Sequence, residues 1–234
     1  EFKGGIALVT DADRASEACI LRYLRSRFPD HAVLAEEEGE TVGAAPFRWF
    51  IDPLDGTTNY AHQVPHFCVS IGVEGGGGLL AGVVYDPVRD ELFSAAQGRG
   101  ATLNGRTLKV STQGVLSRAL LATGFPYDIW SRPDAPMQLF DAFIRKAQGV
   151  RRMGSAALDL AYVAAGRYDG FFELGLKPWD VAAGALLVLE AGGRATGLGE
   201  ESLDVSAGRL LASNGVLHAE MQQIVKDARA AARV

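Results

Sequence analysis

The run Phe47-Arg48-Trp49-Phe50-Ile51 stops at Asp52-Pro53-Leu54-Asp55-Gly56-Thr57-Thr58-Asn59, and this junction constrains the fold more than any other stretch of the chain. An unbroken row of aromatic and β-branched residues reads as a buried strand, and the proline that follows reads as the strand leaving its sheet. Two carboxylates, Asp52 and Asp55, therefore fall at a strand end, where the fixed φ of Pro53 limits how far they diverge. Gly56-Thr57-Thr58 then offers successive backbone N–H groups at what reads as a helix start, with Gly56 admitting a bulky anion close to the backbone. Acids beside such amides suit a site for metal and phosphate, because hard divalent cations with oxygen ligands overcome the repulsion between carboxylate and phosphate. On this segment alone the plainer use stays open, with Asp52 ending a strand and Asp55 capping a helix.

The flanking pattern alternates in period. Thr10-Asp11-Ala12-Asp13 opens a helix with Cys19, Ile20, Tyr23 and Leu24 on one face and Pro29 at its close. His31 to Ala35 reads as a strand running into Glu36-Glu37-Glu38-Gly39, which puts three more acids at a strand end. Strands over Phe67 to Glu74, Leu79 to Tyr85 and Glu91 to Ala95, separated by Gly75 to Gly78 and by Asp86-Pro87, predict an antiparallel meander. Beyond about residue 110 the spacing predicts strands at Leu120 to Thr123, Phe171 to Glu173 and Leu210 to Ala212. Helices are predicted over Gln138 to Gln148, Ala156 to Ala165 and Val181 to Ala191. The expected division is an N-terminal α+β half over 1–110 and a C-terminal α/β half over 111–234, forming one compact unit with the site between them.

Composition narrows the function. With 48% hydrophobic and 22% charged residues, 234 residues can bury a sizeable core. A net charge of -5 gives no broad basic face, so direct nucleic-acid binding is not expected. No apolar run reaches the roughly 18 residues needed to cross a bilayer, no membrane partner is expected, and a cytoplasmic location is anticipated. Cys19 and Cys68 lack zinc-type spacing, and the quadruple glycine lacks the Lys-Ser/Thr ending of a P-loop. Zinc at His62 and His66 is disfavoured by the intervening Pro65.

Two segments, in order, carry a family resemblance. Asp52-Pro-Leu-Asp55-Gly-Thr-Thr-Asn59 is similar to the metal-binding signature of the inositol monophosphatase family, and Trp179-Asp180-Val-Ala-Ala-Gly184, ending in Glu190-Ala-Gly-Gly193, resembles its second signature. Val9-Thr10-Asp11-Ala12-Asp13, Ala35-Glu36-Glu37, Gly154-Ser-Ala-Ala-Leu-Asp159 and Phe172-Glu173-Leu174-Gly175 extend the likeness over nearly the whole chain, and Ala122 to Tyr127 with Asp159 to Arg167 resemble its bacterial members. The rival Asp-x-Asp-Gly-Thr signature of haloacid-dehalogenase-like phosphatases is disfavoured, since two residues separate the acids here. Relatives in the resembled family carry some tens of residues ahead of the region matching Lys3-Gly4.

The resemblance implies a layered αβαβα sandwich of the sugar-phosphatase type and a phosphoric monoester hydrolase acting through metal-activated water. It implies two or three Mg2+ per site, lithium sensitivity and a homodimer. Glu36, Asp52, the Leu54 carbonyl, Asp55 and Asp180 would be the metal ligands, with Asp52 bridging two ions. Glu36 and the Asp13-Thr57 pair would orient the water and accept its proton. Asp55, Gly56, Thr57, Ala156, Glu173 and Asp180 would contact substrate. The substrate it favours is inositol monophosphate or a similar small polyol phosphate. Relatives also act on fructose 1,6-bisphosphate, histidinol phosphate or 3′-phosphoadenosine nucleotides, and some serve as binding partners in transcription or ribosomal RNA processing.

Overall fold

The strand that ends in the acidic junction is covered on both faces. Phe50 packs with the helices over Ala156–Ala164 and Pro178–Glu190, while Ile51 packs with the helix Asp11–Arg27. A computed structural model describes residues 2–4, 7–199 and 202–231. In chain order, β1 (Phe2–Gly4) and β2 (Ala7–Leu8) form a ribbon ahead of α1 (Asp11–Arg27). Next come β3 (Ala32–Ala35), β4 (Gly39–Thr41), β5 (Phe47–Asp55), the short α2 (Thr57–Ala61), and β6 (Cys68–Gly75). The meander continues through β7 (Gly78–Asp86), β8 (Glu91–Ala96), β9 (Gly100–Leu103) and β10 (Arg106–Thr107). Then follow β11 (Leu120–Thr123), α3 (Asp134–Ile144), β12 (Gly149–Arg151), α4 (Ala156–Ala164) and β13 (Gly170–Leu174). The described chain closes with α5 (Pro178–Glu190), β14 (Arg194–Thr196), β15 (Arg209–Ser213) and α6 (His218–Ala231).

Two sheets make the layers. The eight-stranded sheet has the order β10-β9-β8-β7-β6-β5-β3-β4, with only the β3–β5 pair parallel. The five-stranded sheet has the order β12-β11-β13-β15-β14 and is parallel from β12 to β13. Leu21 and Leu24 of α1 cover Val33, Ala35 and Ile51 on the outer face of the first sheet. Between the sheets lie α4 and α5, whose Leu158, Val163 and Leu187 join Phe93 on one side and Phe171 on the other. On the far face, Phe143 of α3 and Met221 of α6 pack against Phe172 and Leu211. Phe171 and Phe172 thus serve opposite layers, as the two-residue period of a strand requires. The result is the αβαβα sandwich.

Three local expectations shift. The buried stripe of α1 is Asp13, Glu17, Leu21 and Leu24, whereas Cys19 and Tyr23 are exposed. Apolar periodicity misses this face because two of its inward residues are acids with partners inside. The helix expected over Gln138 to Gln148 runs from Asp134 to Ile144, and the Gln148 N–H instead donates to the Ala119 carbonyl at 3.0 Å, leading into the edge strand β12. α5 begins at Pro178, which suits a first turn where its missing N–H costs nothing. Asp180 therefore lies inside that turn rather than ahead of it.

The middle layer sits unusually close to the meander. Gly82 faces Gly72 across β6–β7, and a Cβ at Gly82 would lie 2.8 Å from the Ala183 Cα and 3.0 Å from its carbonyl oxygen. Backbone atoms cannot yield as a flexible side chain can. Gly82→Ala is expected to lower stability by about 1–3 kcal/mol, the usual range for overpacking. A fall in the urea unfolding midpoint measures it, and an unchanged midpoint would contradict this packing.

Candidate active site

A chain of contacts carries acids from distant segments to one place. Asp52 pairs with Ser70 across β5–β6, and the Ser70 hydroxyl donates to the Trp179 carbonyl at 3.0 Å. Asp180 is the next residue. Its Oδ2 accepts the Lys177 N–H at 2.7 Å, the reach-back half of a capping box. Asp55 turns toward α4, where its Oδ2 accepts the Ser155 hydroxyl and the Ala157 N–H, both at 2.7 Å. Ser155 is the N-cap of α4, as its sequence position suggests, and Ala156 lies at the head of that helix. Asp52 Oδ1 accepts the Leu54 N–H at 3.0 Å, and the β5 ladder is irregular between the two aspartates.

Glu36 opens the turn between β3 and β4, and its N–H donates to the Ile51 carbonyl at 3.1 Å, beside Asp52. Gly56 precedes α2 with φ at 97°, and a Cβ there would meet the His66 carbonyl at 3.0 Å, so only glycine fits without strain. Thr57 and Asp13 are both buried. The Thr57 hydroxyl lies 3.0 Å from Asp13 Oδ1 and 3.0 Å from the Leu54 carbonyl, and with a single hydrogen it donates to one of them at a time. Glu173 stands partly buried at the end of β13.

Electrostatics mark the cluster as incomplete by itself. Burial, then the charges of Glu36, Asp55 and Asp180, push Asp52 well above the usual carboxylate range. Burial raises Asp55 despite the hydrogen bonds from Ser155 and Ala157, and burial with Asp55 pushes Asp180 up to about 8. Glu173 is also driven well up, first by burial and then by Asp180 and Asp55. As the side chains stand, no three Asp, Glu, His or Cys groups among the described residues converge closely enough to hold an ion. The donor chemistry nevertheless fits hard divalent cations: every candidate ligand is an oxygen, and the carboxylates repel one another until positive charge is supplied. His66 is buried while His62 is exposed, so that pair does not share a site.

Three neighbours escaped the sequence reading. Ser16 Oγ donates to the Pro53 carbonyl at 2.9 Å, and Glu17 accepts the Glu37 and Glu38 N–H groups at 2.9 and 2.6 Å. Their signal was available: Asp13, Ser16 and Glu17 share one helical face. Tyr127, in the loop after β11, left no such signal. The residue is exposed, yet its phenol is pushed up, by partial enclosure first and then by Glu36, Asp55, Asp180 and Asp52.

A layered sandwich with oxygen-only acids at a strand end and at the start of a buried helix is what the resemblance to sugar-phosphatases implied, and the relatives make the chain a phosphoric monoester hydrolase. The profile of the Inositol monophosphatase family matches residues 3–232. An inositol-1-monophosphatase of Synechocystis sp. is 52% identical over 218 residues, 92% of this chain and 76% of that protein. A Nus factor SuhB of Pseudomonas aeruginosa is 49% identical over 88% of this chain and 78% of its own length. The structure of an inositol monophosphatase from Anabaena (Nostoc) sp. PCC 7120 superposes with a TM-score of 0.91 at 51% identity, covering 94% of this chain and 87% of that one. The chain belongs to the inositol monophosphatase family. No helix among its described residues is long and apolar enough to cross a membrane.

Proposed function

We propose that this protein hydrolyses inositol monophosphate or a similar small polyol phosphate to the alcohol and inorganic phosphate, with magnesium as cofactor. One observation carries the reading: burial raises Asp52, Asp55 and Asp180 together, and neighbouring carboxylates raise Asp52 and Asp180 further, which is costly unless cations occupy the site during work. Glu36, Asp52, the Leu54 carbonyl, Asp55 and Asp180 would hold two Mg2+, with a third ion held weakly near Glu36. Bound there, the cations would neutralise phosphate charge and lower the pKa of water.

The chain's own groups divide the remaining work. The Gly56 and Thr57 amides would hold phosphate oxygens. Thr57 Oγ1, 3.0 Å from Asp13 Oδ1, would orient the attacking water and hand its proton toward Asp13, with Glu36 as the other acceptor. As the water oxygen bonds to phosphorus, the P–O bond to the alcohol would break, and the departing oxygen would take its proton from a second water held by Asp180. Ala156, Glu173 and Asp180 would contact the hydroxyls of the alcohol. A cytoplasmic homodimer inhibited by lithium belongs to the same reading.

Phosphate release from inositol monophosphate, fructose 1,6-bisphosphate, histidinol phosphate and a 3′-phosphoadenosine nucleotide tests it, with and without Mg2+ and with added Li+. The expected outcome is magnesium-dependent release dominated by the polyol phosphate. No release from any of them with magnesium present would overturn the reading. The relative named Nus factor SuhB supports a second role, as a binding partner in transcription or ribosomal RNA processing. A pull-down from native lysate that recovers no RNA polymerase component counts against that role.

A further inference from the structure

Glu17 is a carboxylate almost fully enclosed in the protein, 1% exposed, on the inward face of α1. Buried acids are costly without partners, and this one has two: its Oε2 accepts the Glu37 N–H at 2.9 Å and its Oε1 the Glu38 N–H at 2.6 Å. Those amides belong to the turn Glu36-Glu37-Glu38 between β3 and β4, where Ala35 pairs with Gly39. An anion under consecutive backbone N–H groups fixes the path of the turn. The Glu36 N–H is bound to the Ile51 carbonyl one residue before Asp52. The turn is thus held from the β5 side at its first residue and from the α1 side at its second and third.

The same face of α1 reaches the other acidic segment. Asp13 meets Thr57 and Ser16 meets the Pro53 carbonyl, so one helix touches both segments that the proposed site needs. Glu17 stands one turn beyond Asp13 and is the member that reaches the Glu36 turn. An exposed ion pair between Arg25 and Glu38, at 2.7 Å, adds a weaker outer tie to the same turn.

We propose that Glu17 is a positioning residue, whose buried carboxylate grips the Glu37 and Glu38 amides and thereby aims Glu36 at the site beside Asp52. The inference rests on the proposed role of Glu36 as ligand and proton acceptor. Glu17→Gln keeps the shape but replaces one acceptor oxygen with an amide that cannot accept, so one backbone N–H loses its partner. Supporting partners behind metal ligands typically carry about 10–100-fold in affinity or activity. The expected result is turnover lower by about tenfold or more, weaker Mg2+ binding by titration calorimetry, and an unchanged substrate KM.

The decisive measurement compares Glu17→Gln, Glu36→Gln and the double variant. If Glu17 acts through Glu36, adding Glu17→Gln to Glu36→Gln lowers turnover and Mg2+ affinity no further, because the group being aimed is already gone. A multiplicative loss in the double variant, or Mg2+ binding unaltered by Glu17→Gln, would overturn the positioning role while leaving that of Glu36 intact. Full activity and Mg2+ affinity in Glu36→Gln alone would remove the role of Glu36, and the proposal with it. Should Glu17→Gln unfold, Glu17→Asp replaces it in the same cycle, since it keeps the charge and shortens the reach.

Discussion

Asp180→Asn is expected to lower turnover for phosphate release by about 100-fold or more while leaving the protein folded and, without metal, at least as stable. The proposed loss corresponds to about 2.7 kcal/mol of transition-state stabilisation, a modest share of what a charged metal ligand can supply. The fold survives because asparagine retains an oxygen that can accept the Lys177 N–H, the 2.7 Å bond that closes the first turn of α5. Stability is maintained or gained because burial, Asp55 and Glu36 hold Asp180 up to about 8, so folding near neutral pH takes up a proton that asparagine does not need. Phosphate release and thermal scans with and without Mg2+ check both halves. The variant should also lose most of the stabilisation that Mg2+ confers on the parent. Full magnesium-dependent activity would remove Asp180 from the site.

What the sequence could and could not reveal about this site follows from how each contact is encoded. Spacing alone puts Asp52, Asp55 and Gly56 at one strand end, whereas Asp180 is singled out only by the family resemblance of its segment. The link between these segments is not legible: a Ser70 hydroxyl on a Trp179 carbonyl joins residues 109 apart and leaves no local pattern. The α1 face is misread for a physical reason, since periodicity tracks apolar residues and this helix buries Asp13 and Glu17 beside Leu21 and Leu24. The small residues Ala182, Ala183 and Gly184 reveal an apolar helix. Why they must be small depends on Gly72 and Gly82 facing each other beneath them, which only strand register shows. The edge strand β12 is three residues long, below what a hydrophobic pattern can mark.

In metal-free protein, stability is expected to fall as pH rises from about 6.5 to about 8, and saturating Mg2+ should make that slope shallower. Asp180 titrates near 8 when folded against an ordinary 3.8, so between those values the folded state holds a proton that the unfolded chain has lost. Stability then decreases with rising pH across that window. Asp52, Asp55 and Glu173 are raised and act in the same direction, as do Asp159 and Glu17, which burial raises outside the proposed ligand set. Buried His218, bonded to Ser213 Oγ at 2.9 Å and Thr196 Oγ1 at 3.1 Å, acts the other way. Burial lowers it from 6.5 to about 4, so the unfolded state binds more protons there and stability rises with pH between those values. Burial lowers His66 too, with the same sign. The two classes therefore oppose each other below about 6.5, and above it the carboxylates act alone. Cations bound only in the folded state remove the proton uptake of the carboxylates that would hold them, Asp52, Asp55 and Asp180, and at 100 times the dissociation constant they add about 2.7 kcal/mol. Urea unfolding at several pH values from 6.5 to 8, in chelator and in Mg2+, measures both effects. A metal-free stability that stays flat or rises over that interval would mean that these carboxylates are not the repelling cluster from which the catalytic reading is built.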